Sequence, residues 1–331
     1  MNEKNRRAVI VRSCLLAALF AGAVSALVPH AALADEGGVS FWAPGTYGSM
    51  AAVPGTPGWS LGALYYHNSV SASATKEFPI GARITAGLDV KADLVMLSPT
   101  YTFSGPVLGG QPAVSLAALY GRAEVSANAT LTGPRGGVLS GRVGDSLTAF
   151  GDLYPAASLR WNDGNHNYLA YAMLGVPVGR YQSGRLANMG TNHWSLDAGG
   201  GYTYLNQQTG REFSAVLGLT DNEENRDTHY RNGIDGHLEW GVSQFLSPQW
   251  QIGLAGYFYQ QLTGDRGAGA RLGDFKSQVS AIGPQVGYFF PVGGRPAYLG
   301  FKAYYEFDAR NRPSGWNAWV TLSVPLGSGK K

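Results

Sequence analysis

Apolar and polar residues alternate with a period of two along most of this chain, and this pattern restricts its fold more than any other feature. In the last segment, one face carries Trp316, Ala318, Val320, Leu322, Val324 and Leu326, opposite Asn317, Trp319, Thr321 and Ser323. Such alternation indicates a β-strand with one apolar face. Each segment is long enough to cross a bilayer as a tilted strand of about 9–11 residues. The twelve segments are 58–68, 86–103, 111–130, 146–161, 166–178, 194–206, 211–220, 233–246, 250–262, 277–290, 297–309 and 315–326.

The links between these segments alternate in length. Odd-numbered segments are followed by long links, except for the last, and even-numbered segments mostly by tight turns such as 162–165 and 247–249. Long outer loops and short periplasmic turns mark outer-membrane barrels, whereas a soluble β-sandwich gives no reason for this alternation. The sequence therefore predicts an all-β, transmembrane, antiparallel up-and-down β-barrel of about 12 strands over residues 58–326. The expected long links are 69–85, 131–145, 179–193, 221–232 and 263–276.

Composition agrees with a surface that faces lipid. Charged residues are 14% of the chain, against about 25% in an ordinary soluble domain. No run of about 18 apolar residues follows position 34, which excludes a helical span of the membrane. A closed barrel is then the remaining way to satisfy every backbone polar group in lipid.

The N-terminus predicts export to the bacterial outer membrane. A basic start, an apolar run over 14–28 and the small-residue site 32–34 predict a cleaved signal peptide at 1–34. The alternative is an N-terminal anchor, but the run is short for a span and Pro29 follows it. Because the sole cysteine, Cys14, lies in this segment, we expect no disulfide and no thiolate metal site. The mature chain is near neutral, so no nucleic-acid partner is expected. Residues 327–331 form a short tail.

Residues 35–57 are rich in glycine and proline, which argues against regular structure there. Two interpretations stay open. The segment is either a periplasmic leader or a plug folded into the barrel mouth, with Phe41, Trp42 and Tyr47 as its aromatic anchors.

The polar faces of the segments carry charged residues, and we predict that these line the lumen. A Lys or Arg facing lipid near the midplane costs roughly 2–4 kcal/mol. They form either a polar channel wall or a paired network that fills the barrel. The predicted lumen residues are Asp89, Lys91, Asp93, Arg122, Glu124, Asp152, Arg160, Asp197, Glu212, His237, Glu239, Lys302, Glu306 and Asp308. The tyrosines assigned to the same side are Tyr101, Tyr120, Tyr154, Tyr171, Tyr257 and Tyr259.

No motif predicts an enzyme, a cofactor or a metal site. The fragments 144–147 and 163–166 are similar to the nucleophile and histidine blocks of GDSL hydrolases. They bracket one predicted strand, however, and so lie on the order of 50 Å apart at about 3.3 Å per residue. A nucleophile and its base need hydrogen-bond contact.

Several stretches resemble one family, the outer-membrane proteins of the meta pathway of phenol degradation. They are residues 36–48 (EGGVSFWAPGTYG), 161–165 (WNDGN), 176–179 (VPVG), 199–204 (GGGYTY) and 322–326 (LSVPL). The resemblance implies a barrel linked to uptake of aromatic or other hydrophobic compounds, with no catalytic residues to transfer. One departure is the last strand, which ends at Leu326 rather than at an aromatic residue.

These observations together predict a channel for uptake of small hydrophobic or aromatic compounds by passive diffusion. Its partners are expected to be the solute, outer-membrane lipid and lipopolysaccharide. The alternative is a structural or adhesive outer-membrane barrel with a blocked lumen.

Overall fold

A computed structural model describes residues 40–77, 83–134, 136–270 and 276–326, so the predicted signal peptide and the tail at 327–331 lie outside the described residues. The described chain forms twelve antiparallel strands that close into one barrel, which confirms the predicted fold class. The strands are β1 (Gly58–Glu77), β2 (Arg83–Thr102), β3 (Gln111–Thr132), β4 (Val138–Asp163), β5 (His166–Gly175), β6 (Ser195–Asn206), β7 (Arg211–Asn222), β8 (Asp235–Phe245), β9 (Trp250–Gln261), β10 (Gln278–Val292), β11 (Arg295–Arg310) and β12 (Ser314–Pro325).

Every strand pairs with its neighbours in sequence, and β12 returns to β1. Their register runs without interruption from Ser60 opposite Pro325 to Ser71 opposite Ser314. This last pairing leaves no open sheet edge, as a barrel in lipid requires. Among the described residues, no helix is long and apolar enough to cross a membrane.

The first four strands are longer than the sequence pattern predicts. Pairing of β1 with β2 continues to Glu77 opposite Arg83, and pairing of β3 with β4 to Thr132 opposite Val138. The predicted long loops at 69–85 and 131–145 are therefore wrong, because most of their residues belong to two extended hairpins. Beyond the membrane both faces of a hairpin meet water, so backbone pairing continues after the apolar alternation has ended.

The barrel has a short-turn end, where the chain enters β1, and a long-loop end. At the short-turn end, aromatic rings from neighbouring strands lie on the outer surface in pairs: Trp59 with Tyr101, Tyr168 with Tyr202, and Trp250 with Tyr288. Such a belt is typical of the interface between lipid and water. In the described part of the chain, the long-loop end carries the loops 176–194 and 223–234 and also residues 262–270 and 276–277.

Alternation along the strands separates an apolar outer surface from a polar interior. Leu238, Phe301 and Val320 are exposed on the outside, while His237 and Glu239, which flank Leu238, and Asn317, three residues before Val320, are buried inside. The outer faces predicted for β8, β11 and β12 agree with this arrangement. The interior is therefore where polar chemistry is available.

Candidate functional site in the lumen

Residues 40–57, called the internal segment below, lie inside the barrel. Trp42 is only 2% exposed and Ala52 is fully buried. Polar contacts join the segment to inward-facing residues of β6, β7, β8 and β10: Thr203, Glu212, Glu239 and Gln285. A segment that contacts the inner faces of four strands occupies part of the cross-section of the lumen.

Trp42 is the main aromatic contact of the internal segment. Its indole stacks on the imidazole of His237 with ring centroids 3.9 Å apart and planes 13° apart. Its Nε1 donates a hydrogen bond to Glu239 Oε1 at 2.9 Å. Tyr47 and Tyr171 complete the cluster around the indole, at 5.8 and 6.1 Å. Phe41, the residue before Trp42, packs against Tyr154 of β4 with ring centroids 5.7 Å apart.

One turn of the internal segment is held from two sides by opposite charges. Glu239 accepts hydrogen bonds from the backbone N–H of Gly45, at 2.8 Å, and of Tyr47. Lys302 Nζ donates to the carbonyl oxygens of Gly45 at 2.5 Å, Thr46 at 3.2 Å and Tyr47 at 2.9 Å. The carboxylate thus satisfies the donors of the turn and the ammonium satisfies its acceptors. Charge on the lumen wall therefore holds this turn in place.

Two features of the turn require glycine at position 45. Its φ is +100°, in the region that L side chains rarely adopt. A Cβ at this position would also lie 3.0 Å from the ring of Tyr304 and 3.2 Å from Trp319 Nε1. Any side chain at Gly45 would strain the turn and push it away from Glu239 and Lys302.

The remainder of the segment is held by further wall residues. Met50 N–H donates to Glu212 Oε1 at 2.8 Å, and Ala52 N–H donates to Thr203 Oγ1 at 3.0 Å. Ser49 and Ser243 place their hydroxyl oxygens 3.2 Å apart. Thr203, Ser243 and Gln285 were not among the predicted site residues. Small polar residues on inward strand positions were the available signal, but without knowledge of the internal segment they read as ordinary lumen residues.

A second buried network lies behind Trp42 on the wall. His237 Nε2 is 3.1 Å from Asp197 Oδ2 and 3.3 Å from the Tyr171 hydroxyl. Thr220 donates to the same carboxylate oxygen at 2.6 Å. On the opposite wall, Glu306 accepts a hydrogen bond from the Tyr257 hydroxyl at 2.6 Å. These acids belong to buried networks that shape the interior.

Beside the internal segment, the lumen contains a cavity of about 350 Å³. Its wall comes mainly from β1 to β5, and Phe41, Trp42 and Tyr47 form its opposite side. The inward side chains are mostly apolar or small, and Arg160 is the charged residue among them. They are Leu64, Tyr66, Leu94, Met96, Ser98, Thr100, Ala113, Ser115, Ala117, Leu119, Tyr154, Ala156, Ser158, Arg160, Tyr171, Met173 and Trp319.

The loop 176–194 is tied to the inner surface of β4. Asp152 accepts hydrogen bonds from Gly179 N–H and Thr191 N–H, both at 2.8 Å, and from Thr191 Oγ1 at 2.9 Å. Farther up β4, Arg185 forms two hydrogen bonds to Asp145, at 2.6 and 3.1 Å. Hydrogen bonding to Asp145 also raises the pKa of Arg185. Sequence reasoning missed Asp145 and Arg185, because the partners are 40 residues apart in sequence.

Eight of the fourteen predicted lumen charges face inward. Five others do not, and their assignment is corrected: Asp89, Lys91, Asp93, Arg122 and Glu124 face outward. Residues directly opposite one another in a sheet share a face. Val320, Tyr65, Val95, Tyr120 and Phe150 are paired in one such row and are all exposed on the outside.

The charged residues continue this outer row toward the long-loop end. Lys91 and Glu124 face each other, each four residues beyond Val95 or Tyr120 and hence on the same face. Lys91 is ten residues from Tyr101 of the aromatic belt, or about 25 Å in height at the usual rise and tilt of barrel strands. That equals the height of the apolar band, so these charges meet headgroups rather than acyl chains. Asp93 and Arg122 face each other two residues lower. Asp93 is hydrogen bonded to Tyr65 and His67, and Arg122 donates a hydrogen bond to Glu124 at 2.6 Å.

Three further assignments also change. Asp308 lies beside a β-bulge between β10 and β11, where its half-exposed carboxylate accepts a hydrogen bond from Gln278 at 2.6 Å. The bulge ends the regular alternation, so Asp308 belongs to the rim of the barrel and not to the closed lumen. Tyr101 and Tyr120 face outward beside Trp59 and Phe150.

Burial in the lumen changes the pKa of Tyr47 in the internal segment. It raises the pKa of the Tyr47 phenol, and the positive charge of Arg160 partly opposes that rise. Tyr47 therefore stays a neutral hydrogen-bond donor at physiological pH. A neutral phenol suits the apolar cavity that it faces.

No curated protein matches the sequence. Among solved structures, the COG4313 outer membrane channel from Pseudomonas putida F1 superposes with a TM-score of 0.65 at 15% identity, covering 86% of this chain and 99% of that one. A Pseudomonas aeruginosa FadL homologue (10% identity, 80% of this chain, 89% of that one) and the CymD monoaromatic hydrocarbon channel (8%, 82% and 89%) each reach only 0.38.

The first of these superpositions supports the twelve-stranded fold independently of sequence. The sequence itself matches the profile of a family over residues 73–322, which is more than half of the chain. This protein therefore belongs to the family described as "Putative MetA-pathway of phenol degradation".

Proposed function

We propose that this protein is a bacterial outer-membrane channel that takes up small hydrophobic or aromatic compounds by passive diffusion. The observation that carries the proposal is the apolar cavity of about 350 Å³ inside a transmembrane barrel. This volume lies at the lower end of the range for small-molecule sites, about 300–1,000 Å³. It suits a single-ring compound with a short substituent.

The internal segment gives such a channel its selectivity. With Trp42 and Tyr47 across the lumen, little cross-section remains for a continuous column of water. An apolar solute exchanges contacts with the aromatic rings of the segment, whereas a hydrated ion gains nothing from them. We infer that residues 40–57 act as a plug that an apolar solute passes or displaces.

The family description and one solved structure support this proposal. The family description refers to phenol degradation, and the structure that superposes well is an outer membrane channel in Pseudomonas putida F1. Outer-membrane placement also suits the outward charges of β2 and β3, which lie at headgroup height where lipopolysaccharide is the lipid. We propose no enzymatic role, no cofactor and no nucleic-acid partner.

A structural or adhesive barrel with a blocked lumen is the alternative, and the many hydrogen bonds of the internal segment favour it. Uptake of a labelled panel of phenols, alkylbenzenes and short alkanes by cells with and without the gene separates the two. A channel predicts slower uptake without the gene, most visibly at low external concentration, where diffusion across the outer membrane limits entry. Equal uptake of every compound would leave the structural role.

A further inference from the structure

Arg160 is the charged residue of a cavity lined mostly by apolar and small side chains, and its guanidinium has few protein partners. The residue lies near the short-turn end of β4, opposite Gln111 of β3 and Leu169 of β5. Its Nη1 donates a hydrogen bond to Ser158 Oγ at 2.7 Å. Among the residues that the structure describes, no carboxylate lies within ion-pair distance of this guanidinium.

Lys302, another cation in the lumen, shows what Arg160 lacks. Lys302 donates three hydrogen bonds to backbone carbonyls, and the carboxylate of Glu239 binds the same turn. A guanidinium has five N–H donors in a planar fork, and burying it without acceptors is costly. Among the described residues, Arg160 has one side-chain acceptor, the Ser158 hydroxyl, so most of its N–H donors are available to an occupant of the cavity.

The surroundings of Arg160 define the shape of that occupant. Leu94, Met96, Ala117 and Leu119 line the cavity away from the guanidinium and offer only apolar contact. Tyr47 lines the opposite side of the cavity as a neutral phenol, and the positive charge of Arg160 acts on it. A ligand that satisfies both regions has an apolar body and one planar anionic end.

We propose that this cavity binds small aromatic or short alkyl carboxylates, with the carboxylate held by the guanidinium fork of Arg160. A carboxylate accepts two parallel hydrogen bonds from such a fork, a geometry that a neutral alcohol cannot reproduce. This inference rests on the proposed function, because it names the substrate class of the same lumen. It distinguishes acids of the benzoate type from neutral phenols and alkylbenzenes.

The test compares two ligands of nearly equal size on the purified full-length protein in detergent. Benzoate and benzyl alcohol are titrated by calorimetry against wild type, Arg160→Gln, and Arg142→Gln as a matched control on the outer face. Arg160→Gln should weaken benzoate binding by about tenfold or more while leaving benzyl alcohol unchanged. Arg142→Gln should change neither, and Arg160→Lys should keep part of the benzoate affinity. A shift between boiled and unboiled protein on a denaturing gel shows that each variant is folded.

The possible outcomes separate the two proposals. Benzyl alcohol binding with no preference for benzoate in wild type, or equal benzoate affinity in wild type and Arg160→Gln, would overturn the carboxylate site alone. If neither ligand binds to wild type and uptake of neutral compounds is also independent of the gene, the channel proposal fails with it. If Arg160→Gln does not fold, benzoate and benzyl alcohol are compared on Arg160→Lys, where a larger loss for benzoate is expected and an equal change for both would overturn the site.

Discussion

Glu239 and Lys302 bind opposite sides of the same turn of the internal segment, one through its N–H groups and the other through its carbonyl groups. Glu239 reaches Gly45, Tyr47 and the indole of Trp42, while Lys302 reaches Gly45, Thr46 and Tyr47. Two strands that are separated by β9 and β10, β8 and β11, thus hold one short piece of chain between them. This relationship suggests how the lumen is closed and how it can be opened.

Replacing Glu239 by Gln should loosen the internal segment. The amide oxygen can accept some of the hydrogen bonds, but the charge that strengthens them is lost, at about 1.5–3 kcal/mol for a bond to a charged group. We expect a higher and noisier ion conductance in planar bilayers than for wild type. Glu124→Gln is the matched control, because Glu124 faces headgroups outside the barrel. Identical conductance for wild type and Glu239→Gln would mean that this clamp does not close the lumen.

A disulfide should lock the segment to the wall. The hydroxyl oxygens of Ser49 and Ser243 are 3.2 Å apart, which places the two side chains close enough for a disulfide. The sole natural cysteine, Cys14, lies in the predicted signal peptide. Oxidised Ser49→Cys/Ser243→Cys protein should take up aromatic compounds several-fold more slowly, and a reductant should restore the rate. The single Ser49→Cys variant is the control. Unchanged uptake after complete oxidation would show that solutes pass without moving this part of the segment.

The outer faces of the strands can be tested by stability. Phe301 lies on the outside, six residues from the start of β11, and so near mid-height of the apolar band. Phe301→Arg should lower the free energy of unfolding in lipid by about 2–4 kcal/mol. Glu124→Arg lies on the same outer surface but at headgroup height, and should change it by less than about 1 kcal/mol. The measurement is urea unfolding in vesicles. Equal losses for the two variants would contradict the assigned height of the charged row.

Sequence alone predicted the barrel, its strand number and the faces of its regular strands. In β12 the alternation of Trp316 and Val320 with Asn317 and Trp319 is uninterrupted, and each side chain lies on the face that the alternation predicts. This worked because a two-residue period fixes the face of every residue once one is known. The same rule contained the signal for Arg122 and Glu124, since both continue the outward row of Val114, Leu116 and Tyr120.

The faces of the charged residues on β2 and β3 were assigned wrongly because the sequence does not show at what height these residues lie relative to the membrane. The argument that a charge must avoid lipid holds only within the apolar band, and β1 to β4 extend beyond it. Nothing in the alternation of Asp89, Lys91 and Asp93 marks where the membrane ends. The contacts of the internal segment were also beyond sequence, because Glu239 and Gly45 are 194 residues apart and a segment without regular structure carries no periodicity to place it.

The loop 176–194 offers a last prediction, which concerns the long-loop end of the channel. Asp152 is almost fully buried and accepts three hydrogen bonds from Gly179 and Thr191. In Asp152→Asn an amide NH₂ replaces one acceptor oxygen and faces a donor, so at least one backbone N–H of the loop loses its partner. The loop should then detach more often while the barrel, which rests on its strand pairing, stays folded. Trypsin added to intact cells should cleave after Arg180 or Arg185 several-fold faster in Asp152→Asn than in wild type. Asp163→Asn, in an exposed turn at the other end, is the control, and equal cleavage rates in all three proteins would show that Asp152 does not hold the loop.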